Sequence, residues 1–184
     1  VVRSRALEVA MKFRSESTIA HPRSAVFAAY RDRLPEVVRY LDDISAVNTL
    51  ARTEAGSEVR LHNEWVSNRE IPAVAQAVIK PEHLKWDDFA VWNADRFLCS
   101  FEIKTRAFTD SVRCTGTNTF LDDPLGTRVV LEGDFEITNI QVPGVPSFLA
   151  KRLVPQIETF IVTLIRPNLE KVNQALGRFL DAQR

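Results

Sequence analysis

Few side chains in this 184-residue chain can do acid-base chemistry near neutral pH, and only three are histidines. His62-Asn63-Glu64 sets an imidazole and a carboxylate two residues apart, a pairing that can move protons. In a strand, that spacing puts both on one face. The bland reading is two solvent-facing side chains of a half-buried sheet. His21 precedes a helix and His83 follows a proline, so both read as loop residues. Cys99 and Cys114 lack ligand-like spacing. No metal site and no cofactor is therefore expected. No Gly-rich phosphate loop, nucleophile elbow or His-x-x-x-His occurs. His62 and Glu64 are the only catalytic candidates, and the reading leans away from an enzyme.

Binding chemistry has better candidates. Asn63 and Asn118 fall on the apolar faces of their strands. A buried amide left unpaired costs about 1–3 kcal/mol, so each needs a partner. That partner is a neighbouring backbone group, the other amide, or the polar end of a ligand. Leu61, Trp65, Phe97, Phe101, Cys114, Phe135, Phe160 and Leu164 are predicted to face the same interior. Eleven phenylalanines against two tyrosines make that interior strongly apolar. Such residues line a cavity or fill a core; their types do not separate the two.

The elements that position these residues follow from periodicity. Lys12–Ile19 alternates as a strand. His21-Pro22-Arg23-Ser24 opens a short helix carrying Val26, Phe27 and Tyr30, and a second short helix starts near Pro35. Val47–Leu50, Val59–Trp65, Phe97–Ile103, Val112–Phe120 and Arg128–Ile137 alternate with one apolar face each, the mark of an antiparallel sheet. Ile71–Ile79 is Ala-rich, apolar and weakly helical, and it interrupts the sheet. From Ser147 onward, Leu149, Leu153, Ile157, Phe160, Ile161, Leu164, Ile165, Leu169, Val172, Leu176 and Phe179 recur at helical spacing. Pro155 and Pro167 should kink or divide that helix.

Composition bounds the rest. Twenty-four basic residues balance 24 acidic ones, which argues against a general nucleic-acid binder. The longest run without an ionisable side chain, Ile137–Ala150, has 14 residues and is broken by Pro143, Gly144 and Pro146, too short to span a bilayer. The N-terminus lacks the apolar core of a signal peptide. With one cysteine pair, a cytoplasmic location is the default expectation. Residues 1–10 are set aside as an extension or cloning remnant, and 11–184 as one domain.

The order is one strand, two short helices, further strands and a long helix. The long helix is the only element able to cover the apolar face of the sheet. Here the chain resembles the START / Bet v 1-like (SRPBCC, helix-grip) superfamily over about residues 11–183. The resemblance is carried by Ser15–Phe27, with its strand and Pro22-x-x-x-Val26-Phe27 helix, by Phe120–Val129, and by the amphipathic C-terminal end. Val112–Thr117 is similar to the penultimate strand of bacterial members.

The resemblance implies an α+β helix-grip fold, with a curved antiparallel sheet of six to seven strands around the C-terminal helix. It also implies a hydrophobic small molecule or lipid, bound or carried in a cavity between the two. Ile71, Val74 and Val78 then sit in a segment that looks like the lid of phospholipid-transfer relatives of the PRELI type. A cyclase/aromatase-type enzyme for polyketides, using His62 or Glu64, is the alternative. A protein-interaction module with a filled core is the third; an interior with room for no more than one or two waters favours it and counts against a carrier. Val145–Arg152 places apolar side chains beside Lys151 and Arg152, as transient contact with an anionic membrane would require. Oligomeric state is left open.

Overall fold

The computed structural model describes residues 9–184. Seven strands form one sheet: β1 (Val9–Ile19), β2 (Ile44–Ala55), β3 (Glu58–Ser67), β4 (Lys85–Asn93), β5 (Leu98–Thr105), β6 (Val112–Asp123) and β7 (Gly126–Ile137). The order across the sheet is β1-β7-β6-β5-β4-β3-β2, antiparallel throughout. Helices α1 (Arg23–Asp32) and α2 (Leu34–Val37) follow the first strand, and α3 (Ser147–Asp181) ends the chain. This is the expected helix-grip arrangement.

β1 begins at Val9 rather than Lys12. Val9 and Ala10, set aside in the sequence reading, pair with Ile137 and Glu136; residues 1–8 lie outside the described residues.

The sheet must bend to hold a helix, and two glycines show where. Gly116 and Gly133 face each other across β6 and β7, in one row with Phe101 of β5 and Phe13 of β1. A methyl group on Gly116 would collide with the Phe101 ring, and one on Gly133 with the Phe13 ring. The two rings occupy the space that side chains on the flanking strands leave free. At the edge, β2 is irregular near Ser45 and Leu50, and its residues from Asn48 on are exposed.

α3 lies against the concave face through Ile157, Phe160, Ile161, Leu164, Ile165, Val172, Leu176 and Phe179, all buried. The expected stripe began earlier, at Leu149. Instead Phe148 and Leu149 stay exposed, beside exposed Lys151 and Arg152, so the first turns stand clear of the sheet. Neither proline divides the helix. Pro167 has no N–H to give the Thr163 carbonyl, four residues back. The Arg69 guanidinium donates to that oxygen instead. The proline break is thus met by a side chain from the segment after β3.

That segment is not a weak α-helix. Ile71–Ile79 holds one 3-10 turn, Ala73–Ala75, and a second, Pro81–His83, follows it. Ala75 and Ile79 anchor it in the core, while Val74 points to solvent. Short turns with small residues bury too little to propagate a helix.

Candidate functional site

The interior site grows from one strand that the sequence reading passed over. β4 alternates Trp86, Asp88, Ala90 and Trp92 toward α3, with Asp87, Phe89 and Val91 on the other face. Its neighbour β3 alternates in step, so Leu61 pairs with Ala90, Asn63 with Asp88 and Trp65 with Trp86. A carboxylate is thereby registered beside an amide and two indoles on the concave face.

Asp88 is held by its neighbours. Trp65 Nε1 donates to Asp88 Oδ2 at 3.4 Å and Asn63 Nδ2 at 3.5 Å. Asn63 Oδ1 in turn accepts from Thr49 Oγ1 at 2.9 Å. Both ends of that amide therefore have partners, answering the question the sequence raised about Asn63. The Trp65 and Trp86 rings stack at 5.7 Å. Protein surrounds the carboxyl closely enough that desolvation lifts it to about 6, against the lowering effect of the Asn63 and Trp65 hydrogen bonds. Asp88 nevertheless keeps some accessible surface, and it borders a cavity.

That cavity is walled by the inner faces of β3 to β6, by Tyr30 and Leu34 from α1 and α2, and by Asn168 and Leu169 from α3. The unfilled space, out to its mouth, is about 500 Å³, but only about 20 Å³ admits the centre of a water molecule. That is room for about one water. Three polar atoms along its wall have no hydrogen-bond partner among the described residues: Trp92 Nε1, Asn118 Oδ1 and Asn168 Oδ1. The Asn168 amide nitrogen is used, donating to Leu164 O at 2.9 Å. Burial pushes the Tyr30 phenol and the Cys99 thiol well above their ordinary ranges, so both stay neutral.

The candidates from the sequence divide. Leu61, Asn63, Trp65, Phe101 and Asn118 border the cavity. Cys114, Phe135, Phe160 and Leu164 do not border it; they are buried in the packed core around it. Phe97 is not a strand residue. It sits in the β4–β5 turn with φ 48°, under the Arg23 guanidinium and edge-on to Phe27. Tyr30, Trp86, Asp88, Trp92 and Asn168 were missed as lining. For Asp88 a signal existed: Trp86, Asp88, Ala90 and Trp92 alternate, but reading Asp87-Asp88 as a polar pair hides the pattern.

Ile71, Val74 and Val78 do not border this cavity either. Ile71 and Ile79 line a separate surface groove with Arg69, Lys80 and Leu84. His62 and Glu64 face the opposite side of the sheet. There His62 Nε2 lies 2.7 Å from Asp87 Oδ1 and stacks on Phe89 at 4.4 Å. Arg106 bridges Asp87 and Glu64, and Lys85 reaches Glu64 at 3.5 Å. Each acidic group there is tied to a cation. The pair is a surface ion network and does not approach the cavity.

Among the described residues no metal-binding cluster is found, and no helix is long and apolar enough to cross a membrane. No family model matches the chain, and no curated protein does. Solved structures do. TTHA0849 from Thermus thermophilus superposes with a TM-score of 0.62 at 20% identity, over 94% of this chain and 99% of that one. Ara h 8.0201 gives 0.60 at 10% identity, over 95% and 99%. The Zhui aromatase/cyclase from Streptomyces sp. R1128 gives 0.56 at 14%, over 97% of each chain. At such identities the likeness is one of fold.

Proposed function

Starting from a START / Bet v 1-like helix-grip fold, we propose that the chain binds a hydrophobic small molecule in the cavity between sheet and α3. One observation carries this reading. Trp92, Asn118 and Asn168, which line the same cavity as Asp88, each leave a buried polar atom unpaired. Each such atom costs about 1–3 kcal/mol while nothing pairs with it, and Ser15, Glu158 and Asn173 carry one as well, away from the cavity. A ligand with a polar end relieves that cost. Its apolar part contributes about 0.8 kcal/mol for each CH₂ taken from water.

The near-filled interior favours a filled-core interaction module instead, and it requires α3 or its neighbours to yield when a ligand enters. The fold likeness to an aromatase/cyclase, with a carboxyl titrating near neutrality, supports a cyclase-type reading in which Asp88 replaces His62 and Glu64 as the acid-base group.

Native mass spectrometry of the protein as purified, with titration of an uncharged fluorescent apolar probe, tests the proposal. A co-purifying apolar mass or saturable probe binding is expected. A folded protein that shows neither overturns the binding reading in favour of the filled core. Turnover of a polyketide substrate, lost in Asp88→Asn, would move the assignment to the enzyme.

A further inference from the structure

The unpaired atoms also state what the polar end must be. Two of the three, Asn118 Oδ1 and Asn168 Oδ1, are acceptors. Asp88 adds a carboxylate whose Oδ2 alone is engaged by protein donors. No lysine, arginine or histidine borders the cavity. Its walls include the indoles of Trp65, Trp86 and Trp92, whose faces attract cations. One ionisable carboxylate, placed beside the stacked indoles of Trp65 and Trp86 in a wall without a basic side chain, forms a cation site. Its free volume, about one water, is also about the size of an ammonium head. We propose that the cavity binds a primary amine, with its ammonium group against Asp88 and its apolar part along the rest of the cavity wall. This rests on the binding reading above and specifies its ligand class.

The charges around Asp88 support this choice. Facing it are Tyr30 from α1, Cys99 from β5 and Cys114 from β6, all held neutral by burial, the Cys114 thiol being pushed up to about 12. α3 contributes Asn168 and no charge to the wall. His62, on the far face of β3, lowers the Asp88 carboxyl only slightly. Asp88 is therefore the one group of the cavity wall that changes charge between pH 5 and 8. An alkylamine stays protonated across that range, as lysine does. Binding needs the ionised carboxylate, so affinity should hold above pH 6 and fall below it.

The three tryptophans of the chain all border the cavity, so intrinsic fluorescence reports occupancy. The test titrates the whole protein with n-hexylamine, hexan-1-ol and hexanoate at pH 7.5 and pH 5. The amine should bind at least tenfold tighter than the alcohol at pH 7.5, and hexanoate weakest. Its Kd should rise about tenfold from pH 7.5 to pH 5, while that of the alcohol stays flat. Asp88→Asn should bring the amine down to the level of the alcohol and abolish its pH dependence, with a thermal melt confirming the fold. Equal binding of amine and alcohol, a flat amine profile, or full amine affinity in Asp88→Asn overturns the amine assignment and leaves the apolar site standing. If none of the three ligands binds the folded protein, the binding reading falls with it. Should Asp88→Asn fail to fold, the wild-type pH profile and the amine-to-alcohol ratio decide.

Discussion

Asp87 and Asp88 are consecutive residues on β4 with opposite fates. On the outer face, burial alone would raise the Asp87 carboxyl, but hydrogen bonds from Arg106 and His62 outweigh it and hold it below the usual range. On the inner face, burial raises Asp88 to about 6, and the neutral donors Asn63 and Trp65 only partly offset it. The outer carboxylate is used up by its cations. The inner one is kept in a costly state with hydrogen-bonding capacity unused. An arrangement that costs stability without a structural return is where binding chemistry is expected. The two faces thus differ: a charged exterior whose groups satisfy one another, and an apolar interior in which Trp92, Asn118 and Asn168 keep an unpaired atom.

Substitutions on the two faces test this contrast. The largest effect belongs to packing. Phe120→Ala, on the inner face among Phe27, Tyr30 and Trp92, should cost about 3–5 kcal/mol in a denaturant melt. Phe89→Ala, on the outer face and 38% exposed, should cost at most about 1 kcal/mol. Equal losses would mean that the two faces do not differ in packing.

The next effect has the opposite sign. The folded-state carboxyl of Asp88 is raised from 3.8 to about 6, so the fold binds this proton more readily than the unfolded chain does. Its cost is absent below about pH 4, grows between pH 4 and 6, and is complete above 6. Asp88→Asn should therefore stabilise the ligand-free protein at pH 8 by up to roughly 3 kcal/mol and leave it unchanged at pH 3.5. A destabilised variant at pH 8 would show that Asp88 is a structural anchor.

Arg69→Met removes the donor to the Thr163 carbonyl that Pro167 leaves free. Losing a charged hydrogen bond there should cost about 1–2 kcal/mol by chemical melt. Protease cleavage within residues 69–84 should also accelerate, because the segment loses its tie to α3. The smallest effect is Asp87→Asn, expected to lose about 1 kcal/mol at pH 7. That contribution is present above the ordinary Asp range and lost as pH falls below it, the reverse of Asp88. Salt should shrink it, and should leave the Asp88→Asn effect nearly intact.

Legible in the residue order were the elements whose pattern is self-contained. Alternation in Val59–Trp65, Val112–Phe120 and Arg128–Ile137 and the long apolar stripe of α3 reveal their faces, because burial acts on period two and period 3.6. The resemblance supplied the grip of the sheet on the helix. Asn63 and Asn118 stood out as polar residues on apolar faces, and both do border the cavity. Other features depend on partners distant along the chain. Whether Phe135 lines a cavity or fills a core depends on what sits opposite, not on its own strand. Pro167 reads as a break, and it is accommodated because Arg69, nearly a hundred residues earlier, reaches the freed carbonyl. Asp88 looks like one of two adjacent surface acids until β3 is registered against β4. The pairing of strands then turns it inward beside Asn63 and Trp65, and the loss of water around it sets its charge. Side-chain type and period are local properties of a chain, whereas register, cavity and titration arise only when separate segments exclude water together.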